Sequence, residues 1–83
     1  MKIELFVSES FKPCREAVRI SDAVAKEEGL ELTVVDIADP AGRRRADELG
    51  IAVIPALAVD GRLLAIGVQT HGDVRDLLAA ARR

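Results

Sequence analysis

Apolar and polar positions along this chain follow two different periods. Ile3, Leu5 and Val7 alternate with Lys2, Glu4 and Phe6, which predicts a strand over 2–7 covered on both faces. After the polar turn Ser8-Glu9-Ser10, the apolar positions become Cys14, Ala17, Val18, Val24 and Ala25, with Ser21 on the same stripe. That spacing is helical. Pro13 suits the first turn, where its missing N–H would have no intrahelical partner, and Gly29 is placed to stop the helix. Residues 30–37 (Leu-Glu-Leu-Thr-Val-Val-Asp-Ile) predict a second strand, rich in β-branched residues. Asp39-Pro40 opens a short, peripheral second helix reaching about Leu49, with Ala46 and Leu49 as its buried residues and Gly50 as its stop.

Beyond Gly50 the strand period returns. Residues 56–59 and 63–66 flank Asp60-Gly61, a dipeptide favoured in tight antiparallel hairpins. Thr70 stands three residues before Asp73 in a capping-box-like start. Val74, Leu77, Leu78 and Ala81 then form the stripe of a last helix, with Arg82 and Arg83 at its favourable end. The order is β-α-β-α-β-β-α: an α/β fold whose four-stranded mixed sheet carries helices on both faces.

Eighty-three residues form a single domain, 1–83, with one small core. Hydrophobic residues make up 49% of the chain and Phe6 and Phe11 are its two aromatics, so the core is built from Val, Ile, Leu and Ala. A net charge of −2 gives no footprint for nucleic acid or an anionic membrane. One cysteine excludes an internal disulfide and a Cys-rich zinc site. No apolar stretch approaches the length of a spanning helix, and Glu4 interrupts any secretory signal pattern, so a cytoplasmic protein is expected.

Two local features carry candidate chemistry. Cys14 closes the tetrapeptide Phe11-Lys12-Pro13-Cys14 at a strand-to-helix junction, the position of a C-x-x-C redox pair whose first member is here phenylalanine. Pro55 stands immediately before an apolar strand in Ile51-Ala52-Val53-Ile54-Pro55-Ala56-Leu57, as proline at a strand entrance should. With the strand, the helix, Val34-Val35-Asp36-Ile37 and the run from Gly50 to Gly67, these features resemble the thioredoxin/glutaredoxin superfamily. The style is that of its short glutaredoxin-like thioredoxins, and the resemblance covers essentially the whole chain.

The resemblance implies a cis Ile54–Pro55 bond beside the redox site, with the backbone of Ile54 free to pair with an extended peptide or glutathione. In dithiol members the first cysteine, exposed at the helix N-terminus, attacks the substrate disulfide and the second resolves it. Phe11 matches the first and Cys14 the second, so neither the dithiol mechanism nor that of monothiol members, which keep the first cysteine, transfers. Glutathione-binding members carry a Gly-Gly-x-x-Asp-like stretch. Here Gly67-Val68-Gln69-Thr70-His71-Gly72-Asp73 keeps one glycine in place and diverges elsewhere, so no cofactor is expected, with glutathione as the alternative.

Each candidate has a plainer alternative. Cys14 begins the helix stripe, which predicts a buried structural thiol; a redox-sensing thiol, an intermolecular disulfide or a weak metal role stand beside that reading. Phe11 is either an apolar anchor on a binding surface or a filler packed on its own helix. Lys12 faces solvent in both cases. His71 reads as a surface first-turn residue with no metal-ligand companions, and Arg43-Arg44-Arg45 as a solvated helix face. Three functions follow. The first is a thioredoxin-like domain without reductase activity that binds a protein or peptide partner through Phe11, Lys12, Pro13, Ile54, Pro55 and Gly67. The second is a one-thiol oxidoreductase or glutathionylatable sensor acting through Cys14. The third is KaiB-like binding, suggested by the segments around 5–17, 34–41 and 54–58 but opposed by the Asp60-Gly61 hairpin. Oligomeric state is left open by the sequence.

Overall fold

The computed structural model describes residues 1–82; Arg83, assigned above to the end of the last helix, lies outside the described residues. The elements are β1 (Ile3–Val7), α1 (Lys12–Glu27), β2 (Leu32–Asp36), α2 (Pro40–Glu48), β3 (Ala56–Val59), β4 (Arg62–Ile66) and α3 (His71–Ala81). The predicted order is the observed one. The second strand is shorter than its apolar run, because Leu30 closes the α1 turn instead, its N–H donating to the Ala25 carbonyl at 2.8 Å.

The sheet order is β2-β1-β3-β4. β1 runs parallel to β2 (Leu5 opposite Val34) and antiparallel to β3 (Phe6 opposite Ala56). β3 and β4 form the hairpin, with an irregularity at Leu57/Ala58. Its turn has φ of 50° at Asp60 and 79° at Gly61, positive at both central residues as a type I′ connection requires. β1 is buried along its whole length, which is why both of its residue sets are apolar apart from Glu4.

The odd positions of β1 face α1 and α3. Ile3, Leu5 and Val7 pack there with Leu57, Val59, Cys14, Ala17, Val24, Val74 and Leu78. The even positions face α2, where Phe6 meets Ala46, Ile51, Ala56 and Ala58. Burial of these apolar side chains, about 1.5–3 kcal/mol for each Val, Leu, Ile or Phe among them, is the main force closing both layers.

Two expectations about α2 need correction. Leu49 is only half-buried; Gly42 is the second buried position, beside Ala46. A Cβ at Gly42 would run into the Asp36 carbonyl, so the glycine lets α2 lie against the end of β2. The triple-arginine run is also not uniformly solvated. Arg45 reaches across α2 to the buried Glu4 carboxylate, its Nη2 donating at 2.9 Å and its Nε at 3.1 Å, and Nη1 reaches Glu48 at 3.2 Å. A carboxylate in this layer would be expensive without that partner. The α3 start matches its capping pattern: the Asp73 N–H donates to Thr70 Oγ1 at 3.0 Å, and the Thr70 N–H to the Asp73 carboxylate at 3.3 Å.

Candidate functional site

One end of the sheet gathers the sequence-predicted site residues. β1 ends there at Val7, β3 begins there after Pro55, and β4 ends there at Ile66, opposite Ala56. Two turn bonds hold the loop that follows β1: the Phe11 N–H donates to the Ser8 carbonyl at 3.1 Å, and the Cys14 N–H to the Phe11 carbonyl at 3.0 Å. Phe11 is the N-cap residue of α1 and supplies no side-chain cap. An aromatic ring cannot accept a bond from the free first-turn N–H groups as Ser, Thr, Asn or Asp would. The residue is 45% exposed and belongs to neither buried core cluster. Lys12 and Pro13 complete the exposed first turn.

Cys14 lies three residues on and points the other way. It is 2% exposed, and its Sγ accepts from the Ser8 N–H at 3.4 Å. The thiol is part of the α1 face of the core, against which Ile54 also packs. Thiolate chemistry needs an accessible sulfur in electropositive surroundings. The structure gives this sulfur cover and one donor.

Pro55 is buried, Ile54 half-buried, and the peptide bond between them is cis. The Pro55 carbonyl is tied to the end of β4 by the Gly67 N–H at 2.7 Å, so Ile54, Pro55 and Gly67 are brought together. Among the described residues, no backbone hydrogen bond engages Val53 or Ile54. Three side chains overlooked in the sequence join this end: Val53 (54% exposed), Ile66 and Val68. With Phe11 they are four of the six large hydrophobic residues exposed among the described residues, and all four belong to segments that meet at this end of the sheet.

The remaining candidates lie elsewhere. His71, half-buried at the α3 start, meets the Glu27 carboxylate at 2.7 Å and so clips α3 to the end of α1. Among the described residues no His, Cys, Asp and Glu group is arranged to hold a metal ion. No helix among them is long and apolar enough to cross a membrane.

Known proteins agree with this architecture. The thioredoxin-domain family model matches residues 1–79. A probable thioredoxin of Archaeoglobus fulgidus is 32% identical over 76 residues, covering 92% of this chain and 84% of its own length. A probable thioredoxin of Methanothermobacter thermautotrophicus is 28% identical over 89% of this chain and 87% of its own. Among solved structures, a mutant thioredoxin from Halobacterium salinarum superposes with a TM-score of 0.80 at 18% identity, over 95% of this chain and 72% of its own. Thioredoxin 1 of Thermosipho africanus gives 0.74 at 15% identity, over 99% and 94%. These distant structures share the fold; the family model and the closer sequence relatives establish the lineage. A β-α-β-α-β-β-α chain with Pro55 at the entrance to β3 and Cys14 in the first turn of α1 thus belongs to the thioredoxin-domain family.

Proposed function

We propose that this chain is a thioredoxin-like binding domain rather than a dithiol reductase. It takes an extended segment of a partner protein across the surface framed by Phe11, Lys12, Pro13, Ile54, Pro55 and Gly67. One observation carries the reading. The main chain at Val53 and Ile54 is unpaired beside four exposed apolar side chains, at the same end of the sheet where the single thiol is covered. An extended peptide can satisfy a free main chain and lay alternate side chains on flanking apolar groups. Disulfide reduction by the family's two-cysteine route needs a second, exposed thiol, and Phe11 stands in that position. No cofactor is required, and the cytoplasm is the compartment proposed.

The test is a titration of isotope-labelled protein with a cysteine-free peptide, acetyl-Ser-Val-Ile-Val-Ser-amide, followed by amide chemical shifts. Shifts at Phe11, Val53, Ile54, Gly67 and Val68, unchanged in Cys14→Ser, are the expected result. No shifts at these amides would overturn the reading. So would binding confined to disulfide-containing peptides and abolished by Cys14→Ser, which would favour a one-thiol exchange function instead.

A further inference from the structure

A second concave surface lies on the opposite side of the α1 first turn. Between α1 and β2, at the carboxyl ends of the two parallel strands, runs an open cleft of about 640 Å³. Phe11, Pro55 and Gly67 do not line it. Its position follows from the topology. β2 is an edge strand and α1 leaves part of it uncovered, so Val34, on the α1 side of the sheet, stays 46% exposed. Crevices outside the carboxyl ends of parallel strands are the recurrent ligand sites of open α/β sheets. A volume of this order lies within the range that takes a whole small ligand or a few peptide side chains.

The chemistry of the walls narrows the occupant. Val7, Val18, Val34 and the thiol-bearing Cys14, which is 2% exposed, supply the cleft's apolar lining, with Ser8 beside them. The rim carries three carboxylates, Glu9, Asp36 and Asp39, against one guanidinium, Arg15. The acids come from three separate places: the β1–α1 turn, the end of β2 and the β2–α2 turn. Asp39 is informative. It occupies the N-cap position of α2, where an aspartate ordinarily accepts from the first-turn N–H groups, yet its side chain makes no cap bond. Glu9 and Asp39 form no ion pair among the described residues. Two unengaged carboxylates and a half-engaged third, Asp36, which accepts from the Ala38 N–H at 2.9 Å, thus face an apolar trough.

We infer that the α1–β2 cleft docks a lysine-bearing apolar segment of a partner protein. The aliphatic lysine stem lies along Val18 and Val34, and its ammonium group reaches the Glu9, Asp36 and Asp39 carboxylates. Lysine fits both halves of the site, since its four-carbon stem covers apolar surface while the head stays in a polar, partly wet rim. An acidic segment would meet repulsion from three carboxylates, so the rim also selects against the wrong charge. The inference adds to the proposed partner binding a second contact, of defined charge, on a different face.

The test uses the intact, isotope-labelled chain and two probes, acetyl-Ala-Leu-Lys-Val-Ala-amide and its counterpart with glutamate in place of lysine. The lysine peptide is expected to shift the amides of Ser8, Val18, Val34 and Asp36, and to bind roughly tenfold more tightly than the glutamate peptide. One lost charge-assisted contact corresponds to about that factor. Glu9→Gln combined with Asp39→Asn should remove most of that preference without altering the fold, since both residues are exposed. Equal response to the two peptides, no response at these amides, or a preference untouched by the double variant would each overturn the inference. Shifts confined to residues 53–55 and 66–68 would also overturn it while leaving the proposed Pro55-side binding intact, so the two failures are distinguishable.

Discussion

The two ends of the sheet are finished in opposite ways. At the hairpin end, the Asp60 N–H donates to the Lys2 carbonyl at 2.8 Å and the Asp60 carboxylate accepts from the Lys2 N–H at 2.7 Å. Arg45, bound to Glu4 and Glu48, lies beside Gly61. Asp60, Glu4 and Arg45 thus find their partners within the chain. At the Pro55 end, main chain at Val53 and Ile54 is left open and Phe11, Val53, Ile66 and Val68 stand in solvent. The difference teaches where the chain spends its intramolecular bonds. In the proposed function, the paired end serves stability and the open end offers its bonding capacity to an extended partner segment.

That contrast predicts that substitutions at the hairpin side cost stability and leave peptide binding unchanged, whereas substitutions at the Pro55 end do the reverse. The largest loss should come from Glu4→Gln, which removes the charge from a buried carboxylate held by two Arg45 bonds. A cost of about 2 kcal/mol is expected in urea unfolding. Arg45 bonds hold the Glu4 carboxyl below its ordinary value of 4.5, against the opposing effect of burial. A carboxyl with a lowered folded-state value contributes stability that is fully present above its unfolded value. That contribution is lost as pH falls from about 4.5 through the folded value. The wild type should therefore show an acid-side fall in stability that Glu4→Gln reduces. An identical acid limb in both would remove Glu4 from the account.

Asp60→Ala comes next, at about 1 kcal/mol, for the lost Lys2 bond and the left-handed backbone that aspartate tolerates better than alanine. Smallest should be Phe11→Ser and Val68→Ser, each within about 0.5 kcal/mol of wild type because the side chains are already exposed. Both should weaken binding of the Val-Ile-Val peptide. A loss of stability comparable to that of Asp60→Ala at either position would mean that the two ends do not differ as described.

Much of the scaffold was legible because it is encoded locally. Asp60-Gly61 and its flanking apolar runs specify a hairpin within residues 56–66, Thr70 and Asp73 specify their own cap, and the α1 stripe from Cys14 to Ala25 needs only one helix to be read. What was not legible depends on distant partners. Glu4 and Arg45 stand 41 residues apart, so the run of arginines reads as a solvated face and the carboxylate in the covered strand has no visible partner. Gly42 is required by the approach of the Asp36 carbonyl, which no helical period reveals. At the candidate site, the positions of Phe11, Cys14 and Pro55 were set by motif spacing. The exposure of Val53, Ile66 and Val68 depends on where the β3–β4 ladder stops, and alternation alone does not mark that point.

The proposed function requires that the Pro55 end keep the thioredoxin-domain geometry while Phe11 stands where an exposed thiol would be. Disulfide reduction of insulin in the presence of dithiothreitol, compared between wild type and Phe11→Cys, tests it most directly. The substitution places a thiol at the exposed N-terminus of α1, where the helix favours the thiolate, three residues before Cys14. Background rates are expected for the wild type and clear turnover for Phe11→Cys. Turnover by the wild type, or a folded Phe11→Cys protein that stays silent, would contradict it.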